Sequence, residues 1–111
     1  MLPKKNRLTK SSFNQVIDEG IPFHSPTATL RLTKSDNQSQ FSISIPKKVS
    51  KSAVVRNKMR RKVYTIIKDF YPDLDRNVMG LIIMKPNSDK LEHEDLRKEI
   101  YNLFVKSGLL K

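Results

Sequence analysis

The middle of the chain carries a dense run of cationic side chains. Nine lysines and arginines lie between residues 47 and 68, and no acidic residue interrupts them. Lysine binds phosphate oxygens as a mobile point charge, and arginine binds them as a planar fork with parallel donors. Residues 47–68 therefore predict a surface for a polyanion, of which nucleic acid is the commonest kind.

The cationic excess is confined to one part of the sequence. Residues 1–68 contain 15 bases and 3 acids, whereas residues 69–111 contain 7 bases and 8 acids. An ordinary solvated surface mixes both signs, because crowded like charges oppose folding. A polyanionic partner would relieve that repulsion, and an anionic membrane is the alternative to nucleic acid.

Apolar residues recur at helical spacing through this cationic segment. With about 100° between successive residues, they form one contiguous stripe at positions 55, 59, 63, 66, 67 and 70. The spacing predicts a helix that starts at a cap on Ser50 or Ser52, runs to about Phe70 and packs the stripe on a core. A helix lying on a membrane would instead keep its stripe free for lipid, so a membrane partner is not expected.

The other faces of the predicted helix place like charges beside each other. Arg56 and Arg60 lie four residues apart, as do Lys58 and Lys62, and each such pair costs a helix about 0.2–0.5 kcal/mol. This arrangement favours phosphate binding over simple solvation. Asn57, between two of these cations, could read a base edge or a sugar hydroxyl, or could form a hydrogen bond within the domain.

The segments before the cationic helix predict one helix and two strands. Thr9 is expected to cap the first helix, and Gly20 to end it in the left-handed conformation. Residues 21–26 contain two prolines and predict a connector. Residues 27–33 and 41–45 alternate apolar and polar side chains, which predicts an antiparallel hairpin.

The segments after the cationic helix complete a single α+β domain with the element order α-β-β-α-β-α. Residues 78–84 are a continuous apolar run, typical of a strand buried on both faces. The last helix is expected to begin at about Asp89. The run at 78–84 is too short to span a bilayer, and residues 1–10 lack the apolar segment of a secretory signal, so a cytoplasmic location is expected.

The sequence contains no motif for protein-based catalysis or metal binding. It has no Cys, and its two histidines, His24 and His93, lie far apart along the chain. Its 3 glycines do not form a phosphate-binding loop. We therefore predict no catalytic residue and no metal site within this chain.

Several segments together resemble one known family. The stretch "RNKMRR" at 56–61 is similar to the basic signature helix of the bacterial ribonuclease P protein component. The stretches "FSISIPKKV" at 41–49 and "LIIMKP" at 81–86 are similar to two of its strands. Arg7-Leu8 followed by Phe13, Val16 and Gly20 resembles its first helix. The resemblance therefore covers nearly the whole chain.

The resemblance implies a fold, an activity and partners. The fold would be a small mixed sheet with packed helices, like the second domain of ribosomal protein S5, with an unusual left-handed β-α-β crossover. The protein would assist an RNA subunit that removes the 5′ leader of precursor tRNA and itself binds most of the Mg²⁺. Ribonuclease P RNA and precursor tRNA would be the partners, with no obligate protein partner and no organic cofactor.

The resemblance also assigns site residues. It implies an RNA-binding surface that contains Lys47, Lys48, Arg56, Asn57, Lys58, Arg60 and Arg61, and the charge of the cationic segment adds Lys51 and Lys62 to this surface. It implies a cleft for the leader between the first helix and the sheet, with Phe13, Ile17, Arg31 and Tyr64 as candidates. Phe13 is equally explained as a core residue, and Tyr64 could stack on a base or shield the edge of the core. Arg31 is assigned by its place on the polar strand face alone.

Two further expectations concern the boundaries of these assignments. The whole chain, 1–111, is expected to be a single RNA-binding domain in which residues 1–7 form a flexible basic tail. A binding module with no part in cleavage, such as a ribosomal protein or an RNA chaperone, is the alternative function.

Overall fold

Three helices and four strands lie along residues 6–111, the part of the chain that the computed structural model describes. They are α1 Lys10–Glu19, β1 Ile21–His24, β2 Ala28–Lys34, β3 Gln40–Ser44, α2 Ala53–Phe70, β4 Val78–Met84 and α3 His93–Lys106. Short 3-10 turns follow α2 at Tyr71–Asp73 and β4 at Ser88–Lys90. The predicted α+β class is confirmed, with one strand more than the sequence indicated.

The four strands form one mixed sheet in the order β1-β2-β4-β3. Strands β1 and β2 pair antiparallel, as do β2 and β4, whereas β3 and β4 are parallel. The predicted hairpin between 27–33 and 41–45 is therefore wrong, because β4 lies between these two strands. The connection crosses the start of β4, where the Val78 N–H donates to Ser39 Oγ at 3.0 Å. An alternating pattern shows that a strand has one buried face, but it does not show which strand lies beside it.

Strand β1 replaces the predicted connector at residues 21–26. Its four residues pair with β2 in the register Ile21 to Leu32 through His24 to Thr29. Pro22 lacks a backbone N–H, which would exclude it from the middle of a sheet. The prediction failed because β1 lies at the edge, where no second strand needs that donor.

The alternation of side chains divides the sheet into two faces. One face carries the larger cluster, in which Leu30, Phe41 and Ile82 pack against residues of α2 and α3. The opposite face carries a smaller cluster, in which Val16 of α1 packs on Met79 and Leu81. The helix α1 and the cationic helix α2 therefore lie on opposite faces of the sheet, and β4 contributes to both clusters, as its apolar sequence predicts.

The start of α1 follows the prediction, but its end does not. Thr9 Oγ1 accepts a hydrogen bond from the Ser12 N–H at 3.1 Å. Gly20 is not left-handed, since its φ is −66°. A Cβ at this position would lie 2.4 Å from the Val16 carbonyl oxygen, and the close approach of the chain therefore explains the glycine.

The two later helices differ in how well their starts could be predicted. Ser52 caps α2, and its Oγ accepts from the Val55 N–H at 3.3 Å. The predicted bounds of α2 are thus confirmed. Helix α3 begins at His93 and not near Asp89, because the 3-10 turn Ser88–Lys90 precedes it.

The β3–α2–β4 unit is the predicted crossover between parallel strands. Its left-handedness stays a prediction from the resemblance.

Most of the expected tail, residues 1–5, lies outside the described residues, but Asn6 and Arg7 belong to the fold. Asn6 is 7% exposed, and its Nδ2 donates to the Tyr71 hydroxyl at 2.7 Å. That hydroxyl donates to the Ser39 carbonyl oxygen at 2.6 Å. Arg7 forms a parallel bridge with Phe41. Within residues 6–111, no helix is long and apolar enough to cross a membrane.

Tyr71 makes the stability of the fold sensitive to alkaline pH. Burial raises the pKa of its hydroxyl above the ordinary 10.0, and the hydrogen bond from Asn6 offsets part of this effect. The folded protein then holds the phenolic proton more tightly than the unfolded chain does. The resulting stability is fully present below the unfolded pKa and is lost as the pH rises above it.

We expect Tyr71→Phe to flatten this alkaline decline. Urea unfolding of both proteins between about pH 9 and about pH 11 measures the difference, since other titrating groups are shared. The variant should be less stable at the lower pH, where it lacks the hydroxyl's hydrogen bonds, and the gap should narrow as the pH rises. A gap that stays constant across this range would contradict the prediction.

Candidate nucleic-acid interface

The helix α2 is anchored to the larger cluster along most of its length. Met59, Val63, Ile66, Ile67 and Phe70 are all buried, as the predicted stripe requires. Val55, the first residue of that stripe, is 37% exposed. The first turn of α2 therefore projects beyond the core, and the rest of the helix gives its cations a fixed support.

The cations of residues 47–62 lie on and before the anchored helix α2. Lys47, Lys48 and Lys51 are exposed in the segment before α2, and Lys58 and Arg61 are exposed on the helix. Arg56, Arg60 and Lys62 are half-buried. Within residues 6–111, the one salt bridge joins Arg97 to Asp69, at 2.8 Å. Within the described part of the chain, no cation of residues 47–62 therefore forms an ion pair with an acidic side chain.

Two arginines of this surface make hydrogen bonds within the protein. The Arg56 Nη1 donates to the Ser50 carbonyl oxygen at 2.8 Å, which fastens the lysine-bearing segment beside the helix. The Arg60 Nη1 donates to Asn57 Oδ1 at 2.8 Å. The internal hydrogen bond considered for Asn57 is therefore present, and it leaves the amide NH₂ group as the donor available to a partner.

The face of the sheet that carries α1 also carries a row of accessible side chains. Register partners His24, Thr29, Ile83 and Ser44 form a row across all four strands, and each of them is half-buried or exposed. The serine and threonine side chains of this row were not among the predicted site residues, although the alternation in residues 41–45 places Ser44 on this face. Hydroxyls beside an apolar floor can contact both bases and sugars.

Two of the predicted cleft residues lie on α1 itself. Phe13 is half-buried and packs on the cluster of Val16, Met79 and Leu81. Ile17 is 41% exposed. Phe13 thus contributes to the core without being fully buried, so the two interpretations of this residue are compatible.

Tyr64, the third cleft candidate, lies away from the other two. Tyr64 is 5% exposed and belongs to the larger cluster, on the face opposite α1. The structure therefore does not bring it together with Phe13 and Ile17, and its burial favours the core interpretation over base stacking. Its neighbours Val63 and Ile67 are buried as well, so the apolar arc of α2 is wider at this point than the predicted stripe.

Arg31 lies on the α1 face, as predicted, but its guanidinium is engaged with the protein. Its Nη2 donates to the carbonyl oxygens of Ile17 at 3.0 Å and of Gly20 at 3.1 Å. Its Nε donates to the Val16 carbonyl oxygen at 3.4 Å. These acceptors lie at the end of α1, a geometry that spacing along the sequence could not indicate.

The chain matches the family model described as Ribonuclease P over residues 2–108. The chain belongs to the ribonuclease P protein family. Members of this family are accessory protein subunits of a ribonucleoprotein endoribonuclease, as the resemblance of the sequence implied. Within residues 6–111, no three His, Asp or Glu side chains are grouped so that they could hold a metal ion.

Relatives of similar length support the assignment to the ribonuclease P protein family. The ribonuclease P protein component of Microcystis aeruginosa is 32% identical over 115 residues, which cover 98% of this chain and 96% of that protein. The component from Dictyoglomus turgidum is 32% identical over 113 residues, with coverages of 98% and 94%. The match therefore extends over whole proteins and not over the cationic helix alone.

Solved structures of ribonuclease P proteins share the fold. The protein from Staphylococcus aureus superimposes with a TM-score of 0.86 at 14% identity, covering 96% of this chain and 98% of its own. The protein from Thermotoga maritima superimposes with a TM-score of 0.81 at 19% identity, with coverages of 90% and 96%. The mixed sheet and its helices are thus retained where few residues are identical.

Repulsion between the cations of α2 should lower the stability of the protein. In Lys58→Glu, the like-charged pair with Lys62 becomes an attractive pair in the favourable orientation, so we expect a gain of about 0.4–1 kcal/mol in the free energy of unfolding at low salt. Urea unfolding measures this gain, which should shrink in about 1 M salt because exposed charges are then screened.

Lys98→Glu is the matched control for this substitution. On α3, Lys98 follows Glu94 by four residues, so the same replacement turns an attractive pair into a repulsive one and should lower stability. A loss of stability in Lys58→Glu, or a gain that high salt leaves unchanged, would show that repulsion between the helix cations is negligible.

Proposed function

We propose that this chain binds the RNA subunit of ribonuclease P through residues 47–62 and holds the 5′ leader of precursor tRNA between α1 and the sheet. In this way it assists the RNA-catalysed removal of the leader. We call the proposed site for the leader, with Phe13, Ile17, Thr29 and Ser44, the leader groove. The observation that carries the proposal is the cationic surface on α2, unneutralised by any described side chain and anchored to the core, in a member of the ribonuclease P protein family.

The proposed contact with the RNA subunit is mainly electrostatic. Each phosphate that a lysine or arginine neutralises releases condensed counterions, which supplies most of the affinity and makes it depend on salt. The exposed Lys58 and Arg61 can meet phosphates directly. Because α2 is packed on the sheet, these cations are held in place before binding, and little freedom of the backbone is lost on contact.

The proposed leader site uses the other face of the sheet. A single strand exposes its bases, which can stack on the free part of the Phe13 ring or lie against Ile17. The hydroxyls of Thr29 and Ser44 can accept or donate hydrogen bonds to the strand. Since α1 and α2 lie on opposite faces, the two RNA contacts do not compete for the same side chains.

The protein's contribution to the reaction is therefore binding and charge neutralisation. In this proposal the Mg²⁺ ions that support cleavage are held mainly by the RNA, and the chain supplies no catalytic residue. Its cations offset the repulsion between the phosphates of the RNA subunit and those of the substrate. The complex should then form at a lower Mg²⁺ concentration than the two RNAs require alone.

Reconstitution tests the proposed function. The protein is combined with its cognate ribonuclease P RNA and a precursor tRNA at low Mg²⁺, and the rate of leader removal is compared with that of the RNA alone. We expect faster cleavage with the protein, and a smaller advantage as Mg²⁺ is raised. A protein that binds the RNA but adds nothing to cleavage would instead be a binding module, such as an RNA chaperone.

The leader contact is tested by Phe13→Leu, which keeps an apolar side chain on the core but removes the aromatic face. Stacking of a base on an aromatic ring is worth about 1–3 kcal/mol, so the affinity of the holoenzyme for precursor tRNA should fall by about fivefold or more. Mature tRNA, which has no leader, is the control and should bind as before. Equal losses for both RNAs would mean that Phe13 serves the core alone.

A further inference from the structure

The end of α1 lacks the cation that usually stabilises a helix C-terminus. The last carbonyl groups of a helix have no partner within it and carry a partial negative charge. No basic residue lies in the last turn of α1, where Asp18 and Glu19 stand instead. Two carboxylates at this end oppose the helix dipole, so the helix needs a positive charge from elsewhere in the fold.

Arg31 supplies that charge from the neighbouring strand. Its three hydrogen bonds reach the carbonyl oxygens of Val16, Ile17 and Gly20, at distances of 3.0 to 3.4 Å. These bonds join β2 to the last turn of α1 and to the residue that follows it. One guanidinium therefore satisfies the exposed end of the helix and fixes it above the sheet.

The hydrogen bonds of Arg31 act together with the apolar packing of α1 on the sheet. Val16 is the one residue of the helix that is fully buried. Gly20 makes the approach possible, because a Cβ there would lie 3.3 Å from the Arg31 Cβ as well as against the Val16 carbonyl. The position of the C-terminal end of α1 over the sheet thus depends on Arg31 as well as on the packing of Val16.

We propose that Arg31 is a positioning residue for the leader groove: it holds α1 so that Phe13 and Ile17 stand at a fixed distance from the sheet. It does so through the carbonyl groups of α1 and not by contacting the leader. This inference rests on the proposed function, since the groove is assigned there to the leader.

The expected effect on affinity depends on the fraction of molecules in which α1 has the position required for leader binding. If loss of the guanidinium lowers the population of the binding arrangement to about one tenth, the apparent affinity for the leader falls about tenfold. A residue that contacts a leader phosphate would act differently. Its removal would lower the salt dependence of leader binding by about 0.7 in the logarithmic slope, whereas removal of a positioning residue leaves that slope unchanged.

The test uses the holoenzyme assembled with Arg31→Met, which keeps most of the aliphatic stem, and with Arg31→Lys, which keeps the charge. The affinity for precursor tRNA is measured over a range of salt and divided by that for mature tRNA. We expect the ratio to fall about tenfold in Arg31→Met, with an unchanged salt slope, and to be partly restored in Arg31→Lys.

Arg97→Met is the matched control. Arg97 joins α3 to α2 through Asp69 on the opposite face of the sheet, so its loss should not change the ratio. Hydrogen exchange of the free protein gives the second measurement. The amides of residues 16–20 should exchange faster in Arg31→Met than in the natural protein, while those of α2 stay protected.

The outcomes separate this inference from the proposed function. If the natural holoenzyme does not favour precursor over mature tRNA, the leader groove itself is wrong. If it does, and Arg31→Met keeps the full ratio, the positioning inference is overturned. A fall in the ratio together with a fall in the salt slope, and no change in exchange at residues 16–20, would show that Arg31 is a direct leader contact.

Discussion

The position of β4 at the centre of the sheet determines the rest of the architecture. It pairs with β2 on one side and β3 on the other, and its side chains enter both apolar clusters. A strand with two apolar faces needs a cover on each, which α1 provides on one side and α2 with α3 on the other. Two separate exposed surfaces are a direct consequence, because each cover leaves a different set of polar side chains exposed.

Close packing around β4 keeps these covers in place. A Cβ on Gly80 would lie 2.7 Å from ring atoms of Phe41, so only glycine allows that ring to lie over the strand. Phe41 in turn stacks on Phe104 of α3, with ring centroids 5.7 Å apart. This contact lies on the same face as α2 and supports the core that anchors it. The apolar packing of this core thus compensates for the repulsion among the cations of α2, which lie outside the core.

The elements that the sequence could predict are those whose signal is local. Residues 53–70 and 78–84 each show their own pattern, a helical stripe and a continuous apolar run, so α2 and β4 were predicted with their bounds. The pairing of strands is not local: nothing in residues 27–45 shows that a strand from residues 78–84 lies between β2 and β3. Strand β1 was missed for the same reason, since only its place at the edge makes Pro22 tolerable.

The predicted site residues also differ in whether their placement depends on local or on distant parts of the sequence. Exposure of Lys58 and Arg61 follows from helical geometry and could be foreseen. The burial of Tyr64 depends on the sheet and α3, which lie elsewhere in the sequence. Arg31 shows the limit most clearly, because its position on the polar strand face was predicted and its partners at the end of α1 were not. An alternating pattern gives the face of a side chain, but not the atoms that its end reaches.

The net charge overstates how many cations are available to RNA, because several of them bind backbone carbonyls within the protein. Arg31 and Arg56 donate to backbone carbonyls, as do Lys85 and Lys106, whose Nζ atoms lie 2.6 Å and 2.9 Å from the carbonyl oxygens of Ser25 and His24. Arg31, Lys85 and Lys106 each join segments that are distant along the chain, and Arg56 joins α2 to the segment before it. The same residue types thus serve two purposes in this protein, and only the ones left exposed around α2 form a surface that a polyanion can neutralise. The internal ones hold the framework that keeps that surface, and α1 on the opposite face, in position.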